Sequence, residues 1–275
     1  MTILELLLPA FVAGLILTGI HAYLGVHVVE RGVIFVDLSL AQIAALGTTS
    51  AYLFGFDVHS DAAWFCSLAF TILGAALFAF TRPHRATRIP QEAIIGIVYA
   101  VSAAVAILLM SKATQETEHL KDMLVGNILS VGWRELAKTA GLYALVGLFH
   151  WRFRDRFLLI SMDEAQAERR GWNIRFWDFL FYASFGFVVT SSVAIAGVLL
   201  VFCFLIVPSV AAMMFSERLS HRLAIGWTMG AAVSAAGVAL SFVLDLPTGA
   251  TIVATFGAAL LLLAAARASF VRRLA

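Results

Sequence analysis

"FWDFLFYASFGFVVTSSVAIAGVLLVFCFLIVPSVAAMMF", Phe176 to Phe215, contains a single charged side chain, Asp178, close to its start. A helix needs roughly 20 apolar residues to cross a ~30 Å hydrocarbon layer, so the run is long enough for two crossings. No polar break separates them, and the chain is expected to turn near Gly197 with little exposed loop. The rest of the sequence has the same character. Of 275 residues, 61% are hydrophobic and 13% charged, with a mean hydropathy of +0.93. Soluble domains carry about a quarter charged residues. The composition is that of a polytopic membrane protein, with no soluble domain of useful size left over.

Working outward from that run, crossings are expected near 4 to 25, 36 to 55, 62 to 81, 91 to 111, 133 to 150, 175 to 196, 197 to 216, 223 to 244 and 249 to 267, nine in all, with eight as the alternative count. All should be helices: an open sheet edge in lipid leaves backbone groups unpaired, and the apolar runs lack the two-residue alternation of barrel strands. Met1 to Ala22 lacks the basic start of a signal peptide and reads as a retained helix.

In this topology 15 of the 19 Lys and Arg fall on one side: Arg31, the "RPHRATR" loop, the stretch from Arg152 to Arg175, "ERLSHR" and the tail from Arg267. That side is read as the cytoplasm, so the C-terminus is inside and the N-terminus outside. Cys66 and Cys203 sit in apolar segments without a CxxC pair and read as packing residues. Gly226 with Gly230, and Gly47 with Ala51 and Gly55, have the small-residue spacing of close helix packing.

Two polar segments stand out. On the cytoplasmic side, "WRFRDRFLLISMDEAQAERRGWNI" has a middle, Met162 to Arg170, able to form two helical turns ending at Gly171. A short helix on that face is a handle for another protein, or else the segment is an ordinary solvated loop. On the outside, "KATQETEHLKDMLVGNILSVGWREL" places Glu118 and Asp122 on one helical face with His119 nearby. It reads as a cation-attracting or partner-docking surface, or as a solvated connector.

Enzyme chemistry finds little support. There is no GxxxxGK[ST], since the dipeptide Gly-Lys does not occur, and neither HExxH nor GxSxG is present. The chain itself is expected to bind no cofactor and no nucleic acid, and its metal ligands, if any, are unknown. A gradient-driven transporter would show ionisable residues deep in its helices. Here Glu5, Asp37, Asp178 and Asp245 all lie near predicted boundaries.

Several stretches resemble the permease subunits of the ABC-3 family, the membrane components of zinc, manganese and iron ABC importers. "MDEAQAERRG" is similar to the pattern FDPexAxxxG through Asp163, Ala167 and Gly171, with Glu164 where the family usually has Pro. "GVLLVFCFLIVPSVAA" resembles GvlLvsaLLviPaatA through Gly197 and Pro208, "SFVLDLPTGATIV" resembles SyyldlPsGptiv through Pro247 and Gly249, and "DMLVGNIL" resembles yLFGsIL with Gly126 in register. The resemblance implies an all-α permease, residues 1–275 forming a single transmembrane domain with a coupling segment near 151–174. It also implies a homodimer in a bacterial inner membrane, two P-loop ATPase subunits that use the ATP, and an extracytoplasmic solute-binding protein. Asp163, Glu164, Ala167 and Gly171 would then form the element that docks on the ATPase. A related permease for an iron chelate or corrinoid is the alternative, and a gradient-driven transporter a more distant one.

The family's gDAxSHaxxpG element, whose Asp and His lie on the metal path, is matched by "FVDLSLAQIAALG" only in part. Asp37 is kept, but Leu40 and Ala41 stand at the Ser and His positions. Gln42 is no substitute, since five residues at 100° put it about 140° around the helix from Asp37. The face shared with Asp37 holds Ala41, Ala44, Thr48 and Ala51. Asp37 is expected either to contact the substrate or to cap the start of the second crossing.

Overall fold

The structure, a computed structural model, describes residues 3–57, 60–82, 89–111 and 128–274. Gly126, the acidic pair at Glu118 and Asp122, and most of the "RPHRATR" loop lie outside the described residues. Within them every regular element is helical: α1 (Ile3–Glu30), α2 (Val36–Leu53), α3 (Asp61–Phe80), α4 (Gln91–Met110), a 3-10 turn (Ile128–Ser130), α5 (Trp133–Arg152), α6 (Arg154–Met162), α7 (Glu164–Arg169), α8 (Ile174–Phe215), α9 (Leu219–Leu244) and α10 (Thr248–Leu274).

The long apolar run is the 42-residue α8, interrupted at Gly197, where φ is 74° and ψ 162°. Such a backbone is open to glycine and costly for other residues, so the break falls on the residue that admits it. With α8 divided there, nine helical segments of 18 residues or more occupy the nine expected stretches among the described residues. Six helices, α1, α3, α4, α8, α9 and α10, are long and apolar enough to cross a membrane by length and composition. The two others of that length, α2 and α5, are more polar for different reasons. α2 is largely buried within the protein, whereas α5 carries Arg134, Glu135 and Lys138 in its first two turns.

The helices sort into two compact units. The first comprises the described parts of Met1–Val29, Leu124–Gly141 and Ile195–Ala275. Here α1, α9 and the second half of α8 meet through small residues: a Cβ on Gly226 would lie 3.3 Å from that of Ala22, and one on Gly14 would lie 2.9 Å from Ser234 Oγ. The expectation for Gly226 and Gly230 is met, Gly230 facing Thr18. α9 and α10 approach just as closely, Gly237 lying against the backbone of Ile252. Pro208 is buried inside α8. Pro247 leads into α10, in whose first turn Gly249 is buried, while Asp245 ends α9 in a left-handed conformation.

The second unit comprises the described parts of Glu30–Met123 and Leu142–Ala194, and α2 packs against both α3 and α4. Gly47 makes the α2–α3 approach possible, because a Cβ there would sit 2.7 Å from Ser67 Cα, and Ser67 Oγ donates to Ala44 O at 2.9 Å. Gly55 has no such role. It follows α2 with φ 88° in open space, so it ends the helix instead of packing it. Cys66 and Cys203 form no disulfide.

Candidate functional site

The segment after α5 is built by its capping residues. Asp163 leaves the helical region at φ −145°, ψ 76°, and its carboxylate accepts the Gln166 N–H at 2.9 Å. That breaks the expected Met162–Arg170 helix into two, with Met162 closing α6 and Glu164 opening α7. At the far end Gly171 takes φ 71°. Its N–H donates to Glu168 O at 2.8 Å and that of Trp172 to Ala167 O at 3.3 Å, a paired closure that satisfies the last carbonyls. Ala167 is fully buried, so α7 rests on the protein through this small side chain.

Around this segment the second unit holds a cluster of charges. Asp178, in the first turns of α8, has no exposed side-chain surface, and both its oxygens are bonded: Oδ1 accepts from Arg31 Nη1 at 2.7 Å and Oδ2 from Arg82 Nη1. The second terminal nitrogen of Arg82 reaches Glu164 of α7, Nη2 lying 2.8 Å from Oε2. Arg31 also donates from Nε to Ser161 Oγ of α6 at 2.8 Å and lies 4.0 Å over the Phe181 ring. Burial works against the Arg82 charge, yet Asp178 and Glu164 outweigh it and hold the guanidinium above its ordinary pKa. Two arginines and two acids thus neutralise one another, linking the residues that follow α1 and α3 with α6, α7 and α8. Sequence reading used Arg31 and Arg82 only as topology markers. The visible signal was Asp178, the lone charge of its run.

Asp37 lies in the first turn of α2 and is 1% exposed. It caps nothing: the helix begins after Phe35, whose N–H is taken by Glu92 Oε1 of α4 at 2.9 Å, and neither Asp37 oxygen has a hydrogen-bond partner among the described residues. The capping alternative is therefore set aside. Ala41 and Ala44 on the same face are buried. No group of three or more His, Cys, Asp or Glu side chains comes together among the described residues.

The chain is 27% identical over 234 residues to the manganese transport system membrane protein MntC of Listeria innocua, covering 85% of this chain and 81% of that one. It is 26% identical over 238 residues to the chelated iron transport system membrane protein YfeC of Yersinia pestis, covering 86% and 78%. The solved structure of PsaBC from Streptococcus pneumoniae in complex with Fab shares its fold, with a TM-score of 0.77 at 23% identity over 93% of this chain and 90% of that one. The family described as the ABC 3 transport family matches residues 3–268, and the chain belongs to it as a multi-pass membrane permease.

Proposed function

We propose that the chain is the transmembrane subunit of an ATP-driven importer of divalent transition-metal ions, zinc, manganese or iron, working as a homodimer by alternating access. The family match over nearly the whole chain carries this reading, together with relatives named for manganese and chelated-iron transport. A P-loop ATPase on the cytoplasmic side hydrolyses ATP, and an extracytoplasmic binding protein delivers the cargo. The arginine-rich helix ends and the C-terminus face the cytoplasm of a bacterial inner membrane. Asp163, Glu164, Ala167 and Gly171 form the ATPase-docking element: closure of the ATPases moves membrane helices only through a rigid contact, and a short helix capped at both ends is one. Asp37 lines the cargo path. A buried carboxylate that bonds no described residue is costly, and a passing cation offsets that cost.

One observation favours a chelated cargo as the second reading. Ala41 puts a methyl group one turn from Asp37, so this position supplies one carboxylate and no imidazole, which suits an ion that brings further ligands with it. Co-expression with a P-loop ATPase and a solute-binding protein from the same organism tests both readings. Co-purification of a P-loop ATPase in mild detergent, with energised uptake of manganese, iron or zinc ions, is the expected result. Uptake confined to chelates selects the second reading, and absence of an ATPase partner overturns both.

A further inference from the structure

We propose that Arg82 is the positioning residue that carries movement of α7 into the membrane helices, its guanidinium gripping Glu164 of α7 with one nitrogen and Asp178 of α8 with the other. This deepens the coupling role proposed for α7 and rests on it.

The two halves of the grip differ in kind. Asp178 is fully buried and held from its other side by Arg31, itself 3% exposed and stacked on Phe181. Separating these groups would strand a charge without water, so the inner half is a permanent anchor. Glu164 has 39% of its side chain exposed, against 15% for Arg82. An ion pair reached by water is cheap to make and break, so the outer half yields first when α7 is pushed or pulled. Arg82 lies two residues past the end of α3, and Asp178 lies within the first turns of α8. A displacement of α7 that keeps the outer pair is delivered to the ends of both membrane helices. One that breaks the pair leaves them behind. A forked, planar guanidinium suits this role: it holds two acids through separate nitrogens at a fixed angle, whereas the donors of an ammonium rotate about a single nitrogen.

Glu164 is the first residue of α7, a position where proline is tolerated because its missing N–H has no helical acceptor to lose. Glu164→Pro therefore removes the outer pair while preserving the helix, and Glu164→Gln removes only the charge. The test uses the complete transporter, permease with its ATPase and binding protein, in proteoliposomes supplied with manganese(II), iron(II) or zinc(II). ATP hydrolysed and metal imported are measured in the same sample. Both Glu164 variants are expected to lower the metal moved per ATP at least threefold, Glu164→Asp to recover part of the loss, and Arg82→Lys to fall between. An unchanged ratio in the Glu164 variants, including one in which import and hydrolysis decline together, overturns the proposal. If the ratio then falls in Gly171→Val, α7 remains the coupling element and only the Arg82 route fails. An unchanged ratio there as well removes the coupling role itself. Should Arg82→Lys not assemble, the Glu164 variants decide alone, because they leave Asp178 held by both arginines.

Discussion

Asp37 separates stability from transport at the scale of one residue. Its carboxylate is 1% exposed and bonds no described residue, so in the resting protein it is a liability. Asp37→Asn keeps the shape and removes the charge, and two opposite effects are expected. Metal uptake falls tenfold or more at equal expression, while the detergent-solubilised protein unfolds at a temperature a few degrees higher, as relief of about 1 kcal/mol predicts. Uptake assays and thermal unfolding by tryptophan fluorescence check the pair, and wild-type uptake would remove Asp37 from the cargo path. Asp178 predicts the reverse balance. Asp178→Asn removes the buried carboxylate that Arg31 and Arg82 share, leaving Arg82 with Glu164 alone, and is expected to destabilise the protein by about 3–5 kcal/mol, seen as loss of monodisperse protein in detergent.

Packing and capping decide outcomes at the scale of elements. α2 sits close against α3 because Gly47 presents no side chain, its nearest contact being backbone of Ser67. Gly47→Val forces the helices apart and is expected to cost about 1–3 kcal/mol by overpacking, measured by the same melts. In α7 the sensitive residue is Gly171. Nothing lies within 4 Å of a Cβ placed there, so a larger side chain fits spatially, but φ 71° disfavours it. Gly171→Val therefore strains the closing turn by about 1–2 kcal/mol without touching the core. Metal import is expected to fall relative to ATP hydrolysis in that variant. Equal coupling in mutant and wild type would show that this turn transmits nothing.

For the whole molecule, the distribution of charge predicts an orientation. A single cysteine at Ala165 is expected to react with a membrane-impermeant maleimide only from the cytoplasmic side, and one at Asp245 only from the outside, in a background where Cys66 and Cys203 are serine. Labelling of Ala165 from outside would invert the topology and remove the docking role of α7. Large apolar side chains on α4 and α10 remain exposed, among them Ile97, Leu108, Leu261 and Leu262. Such surface suits lipid or a second copy of the chain.

Much of the architecture followed from the sequence alone, because in a membrane the rules are few. Helices are the way to satisfy the backbone of these apolar runs, and about 20 residues span the core. Nine helical stretches and the break at Gly197 were legible for that reason, as was the glycine that closes α7. Tertiary structure decided what depends on partners far apart in the chain. Arg31, Arg82, Glu164 and Asp178 span nearly 150 positions, and no local pattern announces that they neutralise one another. The fate of Asp37 was equally hidden. An acid in the first turn of a helix reads as a cap, and only the folded chain shows Glu92 of α4 bonding the Phe35 N–H and leaving the Asp37 carboxylate without a partner among the described residues. Periodicity and composition act through local geometry and solvent, so sequence carries them; charge pairing is settled where the helices meet.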